Sequence, residues 1–162
     1  EIERRFLIKN DNWKKFITKK IFIEQGYLSK SLDDWIIRIR FTGKDYKIAI
    51  KKHIKSFTNF EFEYSIPQKD GKTIISNLSK TIKKERFFLE VENKFWIIDR
   101  FKEDNYPLEI AEIELENEEE DLILPSFISQ EITGQKNYTN FSLAEKPFST
   151  WEDENLKNLQ NN

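Results

Sequence analysis

The chain has 162 residues, enough for one domain with a core of its own and little room for a second. It has no cysteine and one histidine, His53, which excludes a disulfide scaffold, thiolate metal ligation, a cysteine nucleophile and multi-histidine metal sites, and leaves one candidate for a Ser-His-Asp arrangement. Its 27 basic and 29 acidic residues nearly cancel to a net charge of −2, which argues against a general nucleic-acid binder, while 14% aromatic residues supply a core and argue against disorder.

Residues 1–8 (EIERRFLI) set Glu1, Glu3, Arg5 and Leu7 against Ile2, Arg4, Phe6 and Ile8, the period of a strand. Residues 10–16 place polar caps before Trp13, Phe16 and Ile17, which predicts a short helix. IFIEQGYLS, DWIIRIRF and DYKIAIKKH read as strands, with Gly43 in the turn between the last two, and FTNFEFEYSI is another, ended by Pro67. Residues 73–83 carry Ile74, Ile75, Leu78 and Ile82 on one side and predict an amphipathic helix. KERFFLEVEN and KFWIIDRF predict a hairpin over Asn93, and PLEIAEIELE a further strand near 107–116. Residues 117–121 (NEEED) read as a solvated acidic loop, followed by a helix near Pro125–Gln130 and a turn at Gly134.

The pattern yields about eight strands, with residues 1–150 as one domain and residues 151–162 as a polar tail from which Trp151 can dock back. No apolar run approaches the length of a membrane span and no leader-like stretch opens the sequence, so the cytoplasm is the expected location, without nucleic-acid or membrane partners. No protein partner is evident, and a homodimer is compatible with the sequence. Methionine is absent altogether, so Glu1 is not expected to be the first translated residue.

Residues two apart share a strand face. On that spacing each strand presents one dominant sign: Glu1/Glu3/Arg5, Glu61/Glu63 and Glu112/Glu114/Glu116 are mainly acidic, while Arg38/Arg40 and Lys84/Arg86 are basic, as are Lys47 and Lys51 on one face with Ala49 between them. Asp99 interrupts an otherwise apolar strand. An antiparallel sheet with one wet face alternates in the same way. Two features favour another arrangement: the strands divide by sign, and arginine, whose fork suits phosphate oxygens, stands where a surface would as readily use lysine. Eight strands can close into a barrel with charges in the lumen and apolar residues outside under packed helices. Acidic strands in a lumen then need divalent cations and basic strands a polyanion. A metal–polyphosphate ligand supplies both, and with no Gly-rich phosphate loop the side chains must hold the phosphates.

These segments resemble the triphosphate tunnel metalloenzymes of the CYTH superfamily. EIERRFL is similar to that family's N-terminal ExExK signature, and EQGYLS, IRIRF, IAIK, EFEYSIP, KKERFF, WIIDRF, AEIELE, EITGQKNYTN and LAEKPF follow in the family's order. The resemblance runs from Glu1 to about Phe148. It implies a mainly β (α+β) fold, an eight-stranded antiparallel barrel forming a charged tunnel with a few helices outside, and metal-dependent chemistry on triphosphates with Mg²⁺ or Mn²⁺. It further implies Glu1, Glu3 and Glu114 as ligands of a first metal. Glu63, Asp99 and Glu112 would surround a second metal or the attacking water, and Glu61, on the strand face of Glu63, joins Glu112 in the metal-ligand set. Arg38, Arg40, Lys51, Lys84 and Arg86 would line the polyphosphate.

Three positions depart from the family pattern: Arg5 replaces the signature lysine, Asn59 stands where relatives often carry a basic residue, and so does Asn137, with Lys136 as a partial substitute. The expected activity is hydrolysis of inorganic tripolyphosphate to pyrophosphate and phosphate, with Arg5 in the catalytic set. Thiamine or nucleoside triphosphatase, class IV adenylate cyclase and a catalytically weak polyphosphate-binding module are the alternatives. An organic substrate would need a stacking surface, for which Tyr27, Trp35 and Tyr46 are candidates. Ordinary packing explains those residues equally well, and Trp13, Trp35 and Trp96 read most simply as core or docking anchors. His53 reads as a surface residue near a strand end.

Overall fold

The computed structural model describes residues 1–29, 34–56 and 58–152; most of the expected tail, residues 153–162, lies outside them. One antiparallel sheet dominates. Its strands are β1 (Glu3–Ile8), β2 (Ile17–Tyr27), β3 (Ile36–Phe41), β4 (Tyr46–Lys55), β5 (Thr58–Ile66), β6 (Thr81–Val91), β7 (Lys94–Phe101), β8 (Glu109–Glu114) and β9 (Ile128–Glu131). Their spatial order is β5-β4-β3-β2-β6-β7-β8-β1-β9. The sheet curls until its β5 edge meets, at one point, the residues just before β1. Ile2 bridges Thr58, Asn59 N donates to the Glu1 carbonyl at 2.9 Å, and Glu1 N donates to the Asn59 carbonyl at 3.1 Å. All eight expected strands are therefore present in a barrel-like ring, held at one seam by a single bridge.

Turn chemistry agrees with the sequence where it was distinctive. Asn93, with Glu92, takes a positive φ at the β6–β7 hairpin, the twist that two-residue hairpins require. The Asn10 side chain accepts from Asn12 N at 3.0 Å and starts the 3-10 helix at Asp11–Phe16.

Two expected elements differ. The helix expected over 73–83 is α1, Gln68–Ser76; it begins directly after Pro67 and stops at Asn77, and Thr81–Lys83 already belong to β6. Ile82 fits a helical period by accident, because its true neighbours are the alternate strand residues Lys84 and Arg86. The helix expected near Pro125–Gln130 is β9, which runs along the edge of β1 that β5 does not reach. There Lys9 N donates to the Phe127 carbonyl and Ile132 N to the Arg5 carbonyl, at 3.0 and 2.8 Å. A helix at this place would leave those β1 groups without partners.

Apolar residues form two cores on opposite sides of the same strands. The first is outside the barrel: Phe6, Phe87, Leu89, Trp96, Ile98 and Ile113 are covered by Trp13, Phe127 and Ile128. The second is inside. Leu7, Ile82, Phe101 and Ile110 share strand faces with Arg5, Lys84, Asp99 and Glu112, and pack against Tyr138, Leu143, Phe148 and Trp151. Trp151 does dock back, edge-on to Tyr138 at 5.1 Å. The segment after β9, including α2 (Asn140–Glu145), thus stoppers one end of the lumen. Apolar residues were expected on the outside alone, and this inner core corrects that expectation. Trp35 departs as well: it is 39% exposed on the outer face, stacked on Phe60 with centroids 6.4 Å apart. Among the described residues no helix is long and apolar enough to cross a membrane.

Gly71 marks where α1 meets the sheet. A Cβ there would lie 2.3 Å from Tyr46 Cγ, an atom near the backbone that cannot swing away. Gly71→Ala should therefore destabilise the fold by about 1–3 kcal/mol despite alanine's better helix propensity, read from the midpoint of urea unfolding. An unchanged or higher midpoint would show that α1 is not packed this closely.

Candidate active site

The lumen between the seam and the inner core is a cavity of about 510 Å³, lined by charged residues from six strands. Parity decides its lining: Glu3 and Arg5 on β1, Arg38 and Arg40 on β3, Lys51 on β4, Glu61 on β5, Arg86 on β6 and Glu112 on β8 all turn inward. The register then sets opposite charges directly across from each other, Arg5 facing Glu112, Lys51 facing Glu61 and Arg86 facing Asp99.

One side of the cavity is acidic. Lys51 Nζ bridges Glu1 at 2.5 Å and Glu61 at 3.3 Å, and Arg5 Nε lies 3.2 Å from Glu112 and 3.5 Å from Glu3. Burial, and then the charge of Glu112, push the Glu3 carboxyl up to about 7; burial also raises Glu1, against the pull of Lys51. Glu61 behaves oppositely: burial would raise it, but Arg38 and Lys51 outweigh burial and hold it at about 2. Burial opposes protonation of Lys51, yet Glu3, Glu1 and Glu61 together raise it. Among the described residues no three acids are already gathered into one ion-holding cluster, because Lys51 and Arg5 stand between them. The donor chemistry nevertheless fits a hard divalent cation. Four carboxylates crowd one wall, Glu3 faces Glu114 directly across the strands, and burial makes Glu3 and Glu1 resist ionisation even beside Arg5 and Lys51.

The other side is basic and is anchored from beneath. Asp99 is fully buried and takes a forked pair of hydrogen bonds from Arg86, both at 2.7 Å, as well as one from Lys84 Nζ. Arg86 Nη2 also donates to Glu112 at 3.0 Å, and Lys84 Nζ to Asn140 Oδ1 at 3.0 Å. Burial penalises the Asp99 carboxylate, but Arg86 and Lys84 overcome it and hold the group well below the usual range. Burial pushes Lys84 down to about 7, against the pull of Asp99 and with the added repulsion of Arg86, which the same carboxylate holds above its usual value despite burial. Glu112 is lowered too; burial and Asp99 oppose ionisation, and Arg86 and Arg5 override them. Two buried donors, Arg5 Nη2 and Arg38 Nε, have no hydrogen-bond partner, leaving N–H groups for an added anion.

Of the residues predicted from sequence, Glu1, Glu3, Arg5, Arg38, Arg40, Lys51, Glu61, Arg86, Glu112 and Lys136 line this cavity. Asp99 and Lys84 lie behind its wall, fully buried, and touch it through Arg86 and Asn140. Glu63 is exposed, holding Lys47 at 2.7 Å and Arg38 at 3.4 Å, and Glu114 is exposed opposite Glu3. Asn59 lines the cavity with its amide oxygen 3.2 Å from His53 Nδ1, whereas Asn137 is exposed and does not line it. Sequence reading missed Gln25, a fully buried polar residue of β2, as well as Thr139 and Asn140, which the inner stopper presents to the cavity.

Two outcomes follow from these charges. Asp99→Asn leaves Lys84 and Arg86 buried without their counter-ion and should cost about 3–5 kcal/mol of stability, measured by denaturant unfolding. Glu3→Gln should do the reverse in metal-free protein. A carboxyl whose folded pKa exceeds its unfolded value weakens the fold as pH rises from about 4.5 to about 7. The Tm gain from Gln should therefore grow across that window in EDTA and level off above it. A gain independent of pH would show that Glu3 is not strained in this way.

No family model matches the chain. It is 31% identical to an inorganic triphosphatase from Acetivibrio thermocellus, over 94% of this chain and 98% of that one. Among solved structures, the inorganic triphosphatase NE1496 superposes with a TM-score of 0.67 at 25% identity, covering 89% of this chain and 97% of the other. A Hippeastrum adenylyl cyclase homologue with a dominant triphosphatase activity shares the fold at a TM-score of 0.57 and 12% identity, over 72% of this chain and 80% of its own. With a relative this similar over almost its whole length, and a charged lumen where that family has its tunnel, the chain belongs to the triphosphate tunnel metalloenzymes.

Proposed function

We propose that this protein hydrolyses inorganic tripolyphosphate to pyrophosphate and phosphate with the help of a divalent cation, Mg²⁺ or Mn²⁺. The observation that carries this reading is the division of one cavity into a wall of crowded carboxylates and a wall of basic side chains, with buried N–H donors of Arg5 and Arg38 left without partners. The name of the 31% identical relative points the same way.

Glu1, Glu3, Glu61 and Glu112 would hold the cation, with Glu114 across from Glu3 as a further donor. When bound, it supplies charge neutralisation on the phosphate oxygens and at the leaving group. The protein's own part is positioning and electrostatics. Arg38, Arg40, Lys51 and Arg86 bind non-bridging oxygens along the chain of phosphates, with Lys136 reaching in from the stopper. Lys84 and Asp99 act from behind the wall by fixing Arg86. Glu112, alone among Glu63, Asp99 and Glu112, lines the cavity, and it is the residue assigned to orient the attacking water. Water oxygen bonds to a terminal phosphorus, the bridging P–O bond breaks with its electrons on pyrophosphate, and the water's proton leaves through a carboxylate of the acidic wall.

The lining favours an inorganic substrate. Trp35 lies outside, Tyr46 packs on Phe41 at 4.8 Å, and Tyr27 meets Phe141 edge-on at 5.3 Å. Of the three candidate stacking residues, Tyr27 alone lines the cavity, and it is tied there by its contact with Phe141 and by the hydrogen bond that its hydroxyl accepts from Gln25.

Purified protein should release phosphate from tripolyphosphate with Mg²⁺ or Mn²⁺ and not in EDTA. Tripolyphosphate should be preferred over ATP and thiamine triphosphate, and Glu3→Gln should lose at least about a hundredfold in kcat/KM. Release that is insensitive to EDTA would overturn the metal assignment, and abundant cyclic AMP from ATP would overturn the choice of reaction.

A further inference from the structure

Gln25 is fully buried on the inward face of β2 and lies directly across from Arg40 in the β2–β3 register. Its Oε1 accepts from Arg40 Nε at 3.1 Å and its Nε2 donates to the Tyr27 hydroxyl at 2.7 Å. The amide orientation is forced, because a guanidinium can only donate.

Arg40 differs from the other lumen-facing arginines in the company it keeps. Arg5, Arg38 and Arg86 each have a carboxylate oxygen close by, at 3.2, 2.9 and 2.7 Å. The nearest carboxylate to Arg40 is Glu63 at 3.9 Å, already engaged by Lys47 at 2.7 Å and Arg38 at 3.4 Å. Arg40 is therefore held in place by a neutral group. Burial, then Arg38 and Arg86, lower its pKa to about 10, which leaves it charged at neutral pH. A glutamate at position 25 has the same size and could accept the same hydrogen bond, and it would compensate a cation that burial penalises. The exchange would also desolvate a second charge and turn the hydrogen bond with Tyr27 around, so stability alone does not select the amide, and its choice points to a use for the unspent charge.

We propose that Gln25 is a positioning residue for the polyphosphate. It fixes the Arg40 guanidinium through a neutral hydrogen bond, and the full positive charge stays available to a phosphate group of the substrate. The proposal rests on the triphosphatase reading above and deepens it.

The decisive variant is Gln25→Glu, compared with wild type at saturating metal. KM for tripolyphosphate should rise about tenfold, equivalent to about 1.4 kcal/mol, with kcat changed less than about threefold, while Tm without substrate stays level or rises. An amide that served only the fold would give the opposite pairing, a lower Tm with KM unmoved. An unchanged KM in folded Gln25→Glu overturns the proposal. In an Arg40→Gln background the same change should add no more than about twofold to KM; a repeat of the full effect there also overturns it, because the influence would not pass through Arg40. Should Gln25→Glu fail to fold, Gln25→Met releases Arg40 without adding charge, and a KM equal to wild type overturns the proposal equally. If wild type releases no phosphate, the triphosphatase reading fails on its own. Gln25 is then judged by calorimetric titration of tripolyphosphate in EDTA, where a weaker Kd for Gln25→Glu upholds the proposal. An equal Kd overturns it, and absence of binding by wild type overturns both.

Discussion

The structure depends on pairing charges that face one another across a small, partly dry space. Sheet register does this work. With a period of two along each strand, Arg5 meets Glu112, Lys51 meets Glu61 and Arg86 meets Asp99. A slip of one residue in any of these strands would send its charges into the outer core and its apolar residues into the lumen. The charges are therefore a device for fixing register as well as the material of the site. They act as a network: Asp99 is shared by Lys84 and Arg86, and Glu112 by Arg86 and Arg5, so no member can change state without its neighbours.

The inner core gives that network its strength. Because Tyr138, Leu143, Phe148 and Trp151 fill one end of the barrel, the pairs beside them are shielded from water at that end. Coulombic fields fall off slowly in such a space, so on neighbouring parts of one wall Arg38 and Lys51 overcome burial and hold Glu61 near 2, while burial and then the charge of Glu112 hold Glu3 near 7. The stopper also joins the site. Asn140 accepts from Lys84 Nζ, and Thr139 and Lys136 line the cavity, so a segment that reads as a terminal appendage shapes the closed end of the binding space.

Much of this was legible because the sequence alternates so strongly. The two-residue spacing of Arg38/Arg40, Lys84/Arg86 and Glu112/Glu114 told which side chains share a face, and the division by sign told that the face is a lumen. What alternation cannot tell is depth. Asp99 and Glu63 look equivalent as carboxylates on strands, yet one is fully buried behind the wall and the other lies exposed. Nor does it separate an inner apolar face from an outer one, so Ile82 was read into a helix and Trp35 into the core. Gln25 escaped notice because one amide beside Glu24, on a strand that also carries Lys19 and Lys20, gives no periodic signal; its role comes from a cross-strand neighbour 15 residues away.

The replacement of the signature lysine by Arg5 shows how a local exchange can be absorbed. A lysine ammonium is a compact point charge, whereas a guanidinium offers donors in several fixed directions. Arg5 uses them separately. Nε reaches Glu112, the same atom lies 3.5 Å from Glu3, and Nη1 donates to the Tyr138 carbonyl at 3.1 Å. One side chain thus ties the acidic wall of the cavity to the stopper that closes it, while Nη2 stays unpaired. The charge expected at this position is kept, and the added reach binds the two halves of the site together. Arginine is tolerated here because the stopper places a carbonyl where the fork can use it, which makes residue 5 and the segment around Tyr138 a single structural unit.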